Sequence, residues 1–184
     1  SYLKELFMNE PHLNKHNRRG FMSTTAVASL AASTMVHTAT AAKSDPRPLR
    51  LAVVGCGGRG RGAIDDSLTI NSGVTLVAAA DLQLENCQQM FKGASKAHPN
   101  KVDTQSTKLY SGLDGYKQIL DDPDIDVVFL TTSPGFRPLM VQAAVQAGKH
   151  VFAEKPVCID AVGYRACKAS HDLAAQNKTA IVTG

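Results

Sequence analysis

Leu49-Arg50-Leu51-Ala52-Val53-Val54-Gly55-Cys56-Gly57-Gly58-Arg59-Gly60 is the stretch on which the fold turns. Its first six residues form a short, largely apolar run that stops at a glycine, the composition of a buried strand. Glycines at 55, 57 and 60 make a Gly-x-Gly-x-x-Gly pattern, and residues 58–70 read as the helix that follows. Alone the pattern is weak evidence, because glycine-rich turns are common. Between a strand and a helix each glycine has its own duty. The first permits the tight turn, the second lets the backbone approach a pyrophosphate, and the third lets helix and strand pack closely. Phosphates then rest on the amide groups and positive dipole end of the helix.

Working outward, Val74–Ala80 is a second apolar run, closed by Asp81, and Leu82–Phe91 reads as helix. A looser stretch, residues 93–106, precedes a weak strand at Lys108–Tyr110, and Leu113–Leu120 is helical until Asp121-Asp122-Pro123-Asp124 breaks it. Ile125–Thr131 is the clearest strand. Pro138–Ala147 is a helix stopped by Gly148, and His150–Ala153 is a further strand. Asp160 caps a long helix to about Asn177, with Thr179–Thr183 as the sixth strand. Strands thus alternate with helices, and the strands are continuously apolar. This predicts an α/β class, a doubly wound parallel sheet in the order 3-2-1-4-5-6.

Asp81 sharpens the ligand. It ends the second strand, 21 residues after Gly60, where a carboxylate accepts hydrogen bonds from adenosine ribose hydroxyls and repels a 2′-phosphate. NAD is therefore favoured over NADP. The same position also suits an ordinary cap on the next helix. Arg59 and Arg61 have two readings as well, phosphate contact or a solvated first helical turn.

Ligands of an open parallel sheet collect at the carboxyl ends of the strands. Here those ends read Thr131-Thr132-Ser133-Pro134 after strand four and Glu154-Lys155-Pro156 after strand five. Lys155 is a point charge with three donors, suited to a substrate hydroxyl or to charge developing during reaction. Its bland alternative is an ion pair with Glu154 or Asp160.

These residues bring out a resemblance to the Gfo/Idh/MocA family, the relatives of glucose–fructose oxidoreductase and inositol dehydrogenase. It runs through Leu51–Gly60, Asp81, Asp126–Pro134 and above all Ala147-Gly148-Lys149-His150-Val151-Phe152-Ala153-Glu154-Lys155-Pro156. The resemblance covers about residues 49–184 and implies a Rossmann fold with NAD(P)-linked oxidation or reduction of a sugar, cyclitol or related polyol. It implies that Gly55, Gly57, Gly58 and Gly60 meet the pyrophosphate and Asp81 the ribose; Cys56 and Arg59, in the same loop, are counted with the cofactor-binding residues. Thr131, Thr132, Ser133 and Pro134 would line the cofactor, with Glu154, Lys155 and Pro156 beside the nicotinamide and Lys155 catalytic. Two departures stand out. Many members carry a His where this chain has Arg137, which would hold an anionic or polar substrate or cap a helix. The family's second α/β domain, which floors the substrate pocket, mediates oligomerisation and adds an acid/base pair, is expected beyond residue 184. Cofactor binding without turnover is the expectation for residues 49–184 alone, and a homo-oligomer only for the longer protein.

Charge separates off a leader. The 184 residues carry a net +4, yet residues 1–42 hold four basic residues against two acidic ones, which leaves sixteen against fourteen in the rest. That balance, without a Lys/Arg cluster, excludes a nucleic-acid footprint. Gly20–Ala42 contains no Asp, Glu, Lys or Arg. It follows Asn17-Arg18-Arg19-Gly20-Phe21-Met22 and ends on Ala39-Thr40-Ala41-Ala42, the layout of a twin-arginine export signal. It is too polar for a spanning helix, so no membrane association is expected once it is removed. Residues 1–42 are therefore read as a signal, 43–48 as a linker, and a mature chain is expected to begin near Lys43 in the periplasm or a comparable exported location. The alternative is a disordered Ala/Ser/Thr tail.

Elsewhere the chemistry is sparse. Cys56, Cys87, Cys158 and Cys167 are scattered without His partners at ligand spacing, so no metal is expected. Cys56 reads as a small filler, and Asp121–Asp126 as a solvated turn. The leading function is an exported NAD-dependent oxidoreductase on a carbohydrate-type small molecule. A runner-up is glycoside cleavage by transient oxidation with NAD, and a third is a non-catalytic nucleotide or sugar sensor.

Overall fold

A computed structural model describes residues 47–184. The signal reading of residues 1–42 and most of the linker reading lie outside the described residues. Where the description begins, Arg47 clamps Asp126 with Nη1–Oδ2 and Nη2–Oδ1 distances of 2.7 and 2.8 Å, and the Arg50 amide donates to the same carboxylate at 2.7 Å. The start of the first strand is thereby tied to the start of the fourth.

The strands are β1 (Leu49–Val54), β2 (Val74–Asp81), β3 (Lys108–Ser111), β4 (Val127–Leu130), β5 (His150–Ala153) and β6 (Ile181–Thr183). Between them lie α1 (Gly58–Ile70), α2 (Leu84–Ala97), α3 (Gly115–Leu120), α4 (Arg137–Gln146) and α5 (Ala161–Asn177). The strands form one six-stranded sheet in the order β3-β2-β1-β4-β5-β6, each neighbouring pair parallel, as the strand–helix alternation predicts. The reversal point lies between β1 and β4.

Both faces of the sheet are buried, which is why its strands read as continuous apolar runs. Leu51 and Val53 of β1 join Ile64 and Leu68 of α1 and Cys87, Met90 and Phe91 of α2 in one core. Ala52 and Val54 point the other way, into a core with Tyr116 and Ile119 of α3, Met140, Val141, Ala144 and Val145 of α4 and Ala174 of α5. Phe129 and Phe152 stack across β4 and β5 with ring centroids 4.9 Å apart. Among the described residues no helix is long and apolar enough to cross a membrane.

Several boundaries differ from those expected, most of all in α2 and β4. Helix α2 runs on to Ala97 instead of ending at Phe91, because Ala94 continues its apolar stripe and the His98 amide still reaches the Ala94 carbonyl at 2.7 Å. It also starts at Leu84, two residues later than the composition suggests, because Asp81 holds the Gln83 amide in a turn. Strand β4 is four residues, since Asp126 is diverted to Arg47 and Arg50 and Thr131 turns toward the glycine loop.

Two glycines in α1 separate packing from propensity. A Cβ at Gly60 would stand 2.0 Å from the Gly55 carbonyl oxygen, whereas one at exposed Gly62 meets nothing within 4 Å. Gly60→Ala is expected to lower unfolding stability by about 2 kcal/mol or more through overpacking against backbone. Gly62→Ala is expected to raise it by about 0.5–1 kcal/mol, the ordinary helix gain over glycine. Urea unfolding of the two variants beside the parent checks both; equal effects would refute the packing account.

Candidate nucleotide site

The glycine loop divides into two closed and two open positions. Gly55 adopts φ +95°, and a side chain there would also strike the Thr132 amide nitrogen at 2.8 Å and the Thr131 carbonyl carbon at 2.9 Å. Gly60 is blocked by the Gly55 carbonyl and by the Thr131 hydroxyl at 2.8 Å. Gly57 and Gly58 are exposed, and a Cβ on either meets nothing within 4 Å. Two glycines therefore let the first turn of α1 lie against the ends of β1 and β4, and two leave open backbone before its amides. That is a cradle of the right chemistry for a pyrophosphate, so the residues present fit a dinucleotide.

Asp81 closes the next corner. Its Oδ2 accepts from the Cys56 amide at 2.7 Å, and its Oδ1 accepts from the Asn86 side chain at 2.9 Å and the Gln83 amide at 3.1 Å. Partial burial pushes its pKa up, but the bonds from Asn86, Gln83 and Cys56 outweigh this and hold it below the usual carboxylate value. The cap reading of Asp81 does not hold, because the N-cap of α2 is Gln83 and no side chain caps it; the Asp81 carboxylate instead holds the turn before that helix. It pins the start of α2 and the glycine loop, and it also lines a cleft of about 480 Å³.

That cleft spans the carboxyl ends of β1, β2 and β4 and is lined by Gly55, Gly57, Asp81, Thr131, Thr132 and Ser133. Its walls include residues the sequence reasoning missed: Leu82, Leu113, Tyr116, Phe136, Leu139 and Met140. Leu82, Leu113 and Leu139 are 63, 65 and 61% exposed, an apolar rim fit for a flat heterocycle. Their signal was a leucine placed just beyond a strand end or on the outer face of the following helix.

Several expected roles are corrected. The Thr131 hydroxyl is committed to the Gly55 and Val54 carbonyls at 2.7 and 3.1 Å, so it locks the loop as well as lining the cleft. The Cys56 thiol points into the core, 3.6 Å from the Cys87 sulfur; that contact and burial push its pKa up, and only its backbone belongs to the loop. Arg59 reaches away from the loop to Glu154, 2.7 Å between Nη2 and Oε2. Arg61 spans the Cys56 carbonyl at 3.1 Å and Gln89 at 3.0 Å, so it braces the loop against α2. Arg137 is neither a substrate-facing cation nor an exposed cap: it is buried and donates to the Pro156 carbonyl, and burial lowers its pKa. Pro134 is half-buried in the β4–α4 turn, outside the lining of the cleft.

Lys155 follows β5, with a cis bond to Pro156. The ion pairs open to it on paper are taken elsewhere: Glu154 is held by Arg59, and Asp160 caps α5 by accepting from the Gly163 amide at 2.6 Å. Among the described residues the Lys155 side chain has no ion pair or hydrogen bond, and it is exposed. In the acidic turn, Asp122 pairs with Lys108 at 2.6 Å and Asp126 with Arg47 at 2.7 Å.

Comparison with known proteins agrees with this geometry. The oxidoreductase family with an NAD-binding Rossmann fold, Gfo/Idh/MocA, matches residues 49–184. A glycosyl hydrolase family 109 protein of Phocaeicola vulgatus is 30% identical over 130 residues, 71% of this chain and 22% of that protein. An inositol 2-dehydrogenase of Klebsiella pneumoniae is 30% identical over 117 residues, 64% of this chain and 31% of that protein. The solved myo-inositol 2-dehydrogenase of Lactobacillus plantarum superposes with a TM-score of 0.58 at 26% identity, covering 75% of this chain and 36% of that one. The matches thus span between a fifth and two fifths of these relatives' own length. The chain belongs to the Gfo/Idh/MocA oxidoreductase family, and residues 49–184 are its NAD-binding Rossmann domain.

Proposed function

We propose that this chain is the cofactor-binding part of an NAD-dependent oxidoreductase acting on a sugar, cyclitol or related polyol. One observation supports it above the others. The open backbone of Gly57 and Gly58, the Asp81 carboxylate and the unpaired Lys155 all follow the carboxyl ends of strands in a single sheet.

The Gly57–Gly58 backbone and the first amides of α1 would receive the pyrophosphate. Asp81 would accept a hydrogen bond from the adenosine ribose, and Leu82, Leu113 and Leu139 would enclose the adenine. Thr132 and Ser133 would border the path from the phosphates to the end of β5. When bound, the nicotinamide supplies a two-electron acceptor or donor. Lys155 would hold the substrate hydroxyl and steady the proton that moves there; its ammonium is exposed, and no carboxylate of the described fold neutralises it. A second domain, outside residues 49–184, would complete the substrate pocket and supply any further acid/base pair, consistent with a match that spans 31% of the inositol 2-dehydrogenase relative.

A second reading has a specific observation behind it. The Phocaeicola vulgatus relative is a glycosyl hydrolase family protein, which fits glycoside cleavage by transient oxidation with the same cofactor cradle. Reduced cofactor appearing on addition of a polyol to the full-length protein supports the dehydrogenase. Sugar release from a glycoside without net NADH supports the hydrolase, and neither activity leaves a sensor.

The leader belongs to the proposal as well. Residues 17–22 and 39–42 make residues 1–42 a twin-arginine signal, and that route carries folded proteins with NAD already loaded. Replacing Arg18 and Arg19 by Lys is expected to leave the protein inside the cell. With the pair intact, exported protein is expected to begin near Lys43; export of the Lys pair at the same level would overturn the signal.

Two variants test the site. Asp81→Ala is expected to weaken NAD binding about 10- to 100-fold, the worth of a charge-assisted bond to a hydroxyl. NADP is expected to lose less, because the same change also removes repulsion of the 2′-phosphate. Calorimetric titration of both cofactors decides; equal losses would sink the ribose assignment. Lys155→Ala is expected to cut turnover of the full-length enzyme about 10²–10³-fold, the usual share of a positioned acid or base. Its NAD affinity is expected to stay within about threefold, since no cofactor phosphate depends on the ammonium.

A further inference from the structure

The ion pair between Arg59 and Glu154 joins two parts of the site that are 95 positions apart in the chain. Arg59 stands on the first turn of α1, beside the glycine loop, and Glu154 immediately follows β5. The two ends of the pair differ sharply: the Glu154 side chain is 4% exposed, the Arg59 side chain 70%. The buried member is thus the carboxylate, and it holds its charge because Arg59 bonds to it; that bond keeps its pKa below the usual carboxylate value against the cost of burial. Buried Arg137 contributes a second positive charge near the same carboxylate.

Each residue of the turn that presents Lys155 is tied to a different element. The Glu154 side chain goes to α1, and its amide donates to Leu130 of β4 at 3.0 Å. The Lys155 amide donates to the Gly184 carbonyl beyond β6 at 3.0 Å. The Pro156 carbonyl accepts from Arg137 at the start of α4. Of these ties, the Arg59 pair alone links the turn to the helix whose N-terminus faces the open glycines. If Arg59 swung to a phosphate, Glu154 would be left buried with its bonded partner gone, a costly arrangement for a carboxylate.

We propose that Arg59 is a positioning residue: by holding Glu154 it fixes the Glu154–Pro156 turn, which lies outside the lining of the cleft, relative to the glycine loop, and so sets where the nicotinamide would lie instead of binding the pyrophosphate. This rests on the NAD reading above. It assigns opposite consequences to two ligands that share the adenosine and both phosphates. ADP needs only the glycine loop, Asp81 and the apolar rim. NAD also needs the turn after β5.

The experiment is a titration of NAD and ADP into the chain and its Arg59→Ala, Arg59→Lys and Glu154→Gln variants, with dissociation constants and melting temperatures recorded together. Arg59→Ala and Glu154→Gln are each expected to weaken NAD about tenfold, or ~1.4 kcal/mol, and to leave ADP within about twofold. Arg59→Lys, which keeps a cation within reach of Glu154, is expected to recover NAD to within about threefold. Combining Arg59→Ala with Glu154→Gln is expected to do no more than either alone, as for two members of one pair. Equal loss of NAD and ADP in Arg59→Ala, with Glu154→Gln unaffected, would make Arg59 a phosphate ligand and overturn the proposal. So would unchanged binding of both ligands in both variants. Should Arg59→Ala fail to fold, Glu154→Gln and Arg59→Lys carry the same comparison. A parent chain that binds neither ligand would bring down the cofactor reading and this proposal together, a result distinct from either of the others.

Discussion

The approach of Gly60 to the Gly55 carbonyl governs the rest of the molecule. A methyl group there would lie 2.0 Å from that oxygen, so the first turn of α1 sits as near the end of β1 as two stretches of backbone allow. The Thr131 hydroxyl completes the junction by donating to the same carbonyl from the end of β4. Helix α1, β1 and β4 are thereby fastened at one point, the point at which the strand order reverses. Gly57 and Gly58 are left on the outer side of that junction with open space before them. An anion-binding helix end and an accessible backbone are thus consequences of one close contact, which only glycine at position 60 permits.

Polar side chains then tie this junction to its surroundings. Asp81 draws the Cys56 amide toward β2, Arg61 braces the Cys56 carbonyl against α2, and Arg59 reaches across to the turn after β5. Apolar packing alone would hold the sheet between its helices, yet it would leave the loops at the sheet's edge without a fixed geometry. Directional bonds to charged groups set that geometry, and their partners come from the strand ends where a ligand collects.

Strand order, the glycine loop and Asp81 were legible in the sequence because each follows from local composition. A six-residue apolar run, a glycine triplet and a carboxylate at a strand end are patterns a chain carries before it folds. The partners of Arg59, Thr131 and Arg137 were not legible. Each pairs with a group distant in sequence, and an arginine on a first helical turn looks alike whether it faces phosphate or Glu154. The last turns of α2, beyond Phe91, are hidden in the sequence for a related reason: Gly93 and the polar residues around it mask a stripe that Ala94 continues. The apolar rim of Leu82, Leu113 and Leu139 was not legible because its members follow three different strands, β2, β3 and β4, and meet only once the sheet has formed.

Asp81 shows why these bonds bear on cofactor choice. An ionised carboxylate offers about four acceptor positions, and three are taken here by Cys56, Gln83 and Asn86. Oδ1 is filled, so a ribose hydroxyl would be met on the Oδ2 side, beside the glycine loop. The same three bonds keep the group ionised and prevent it from turning away. A carboxylate on a free rotor would yield to a 2′-phosphate by rotating into solvent. One held by three hydrogen bonds would have to break them to turn away, so its charge would oppose a 2′-phosphate brought beside it. The preference for NAD in this reading therefore comes from the immobility of Asp81 as much as from its charge, and Asn86, a residue with no place in the glycine motif, is part of what enforces it.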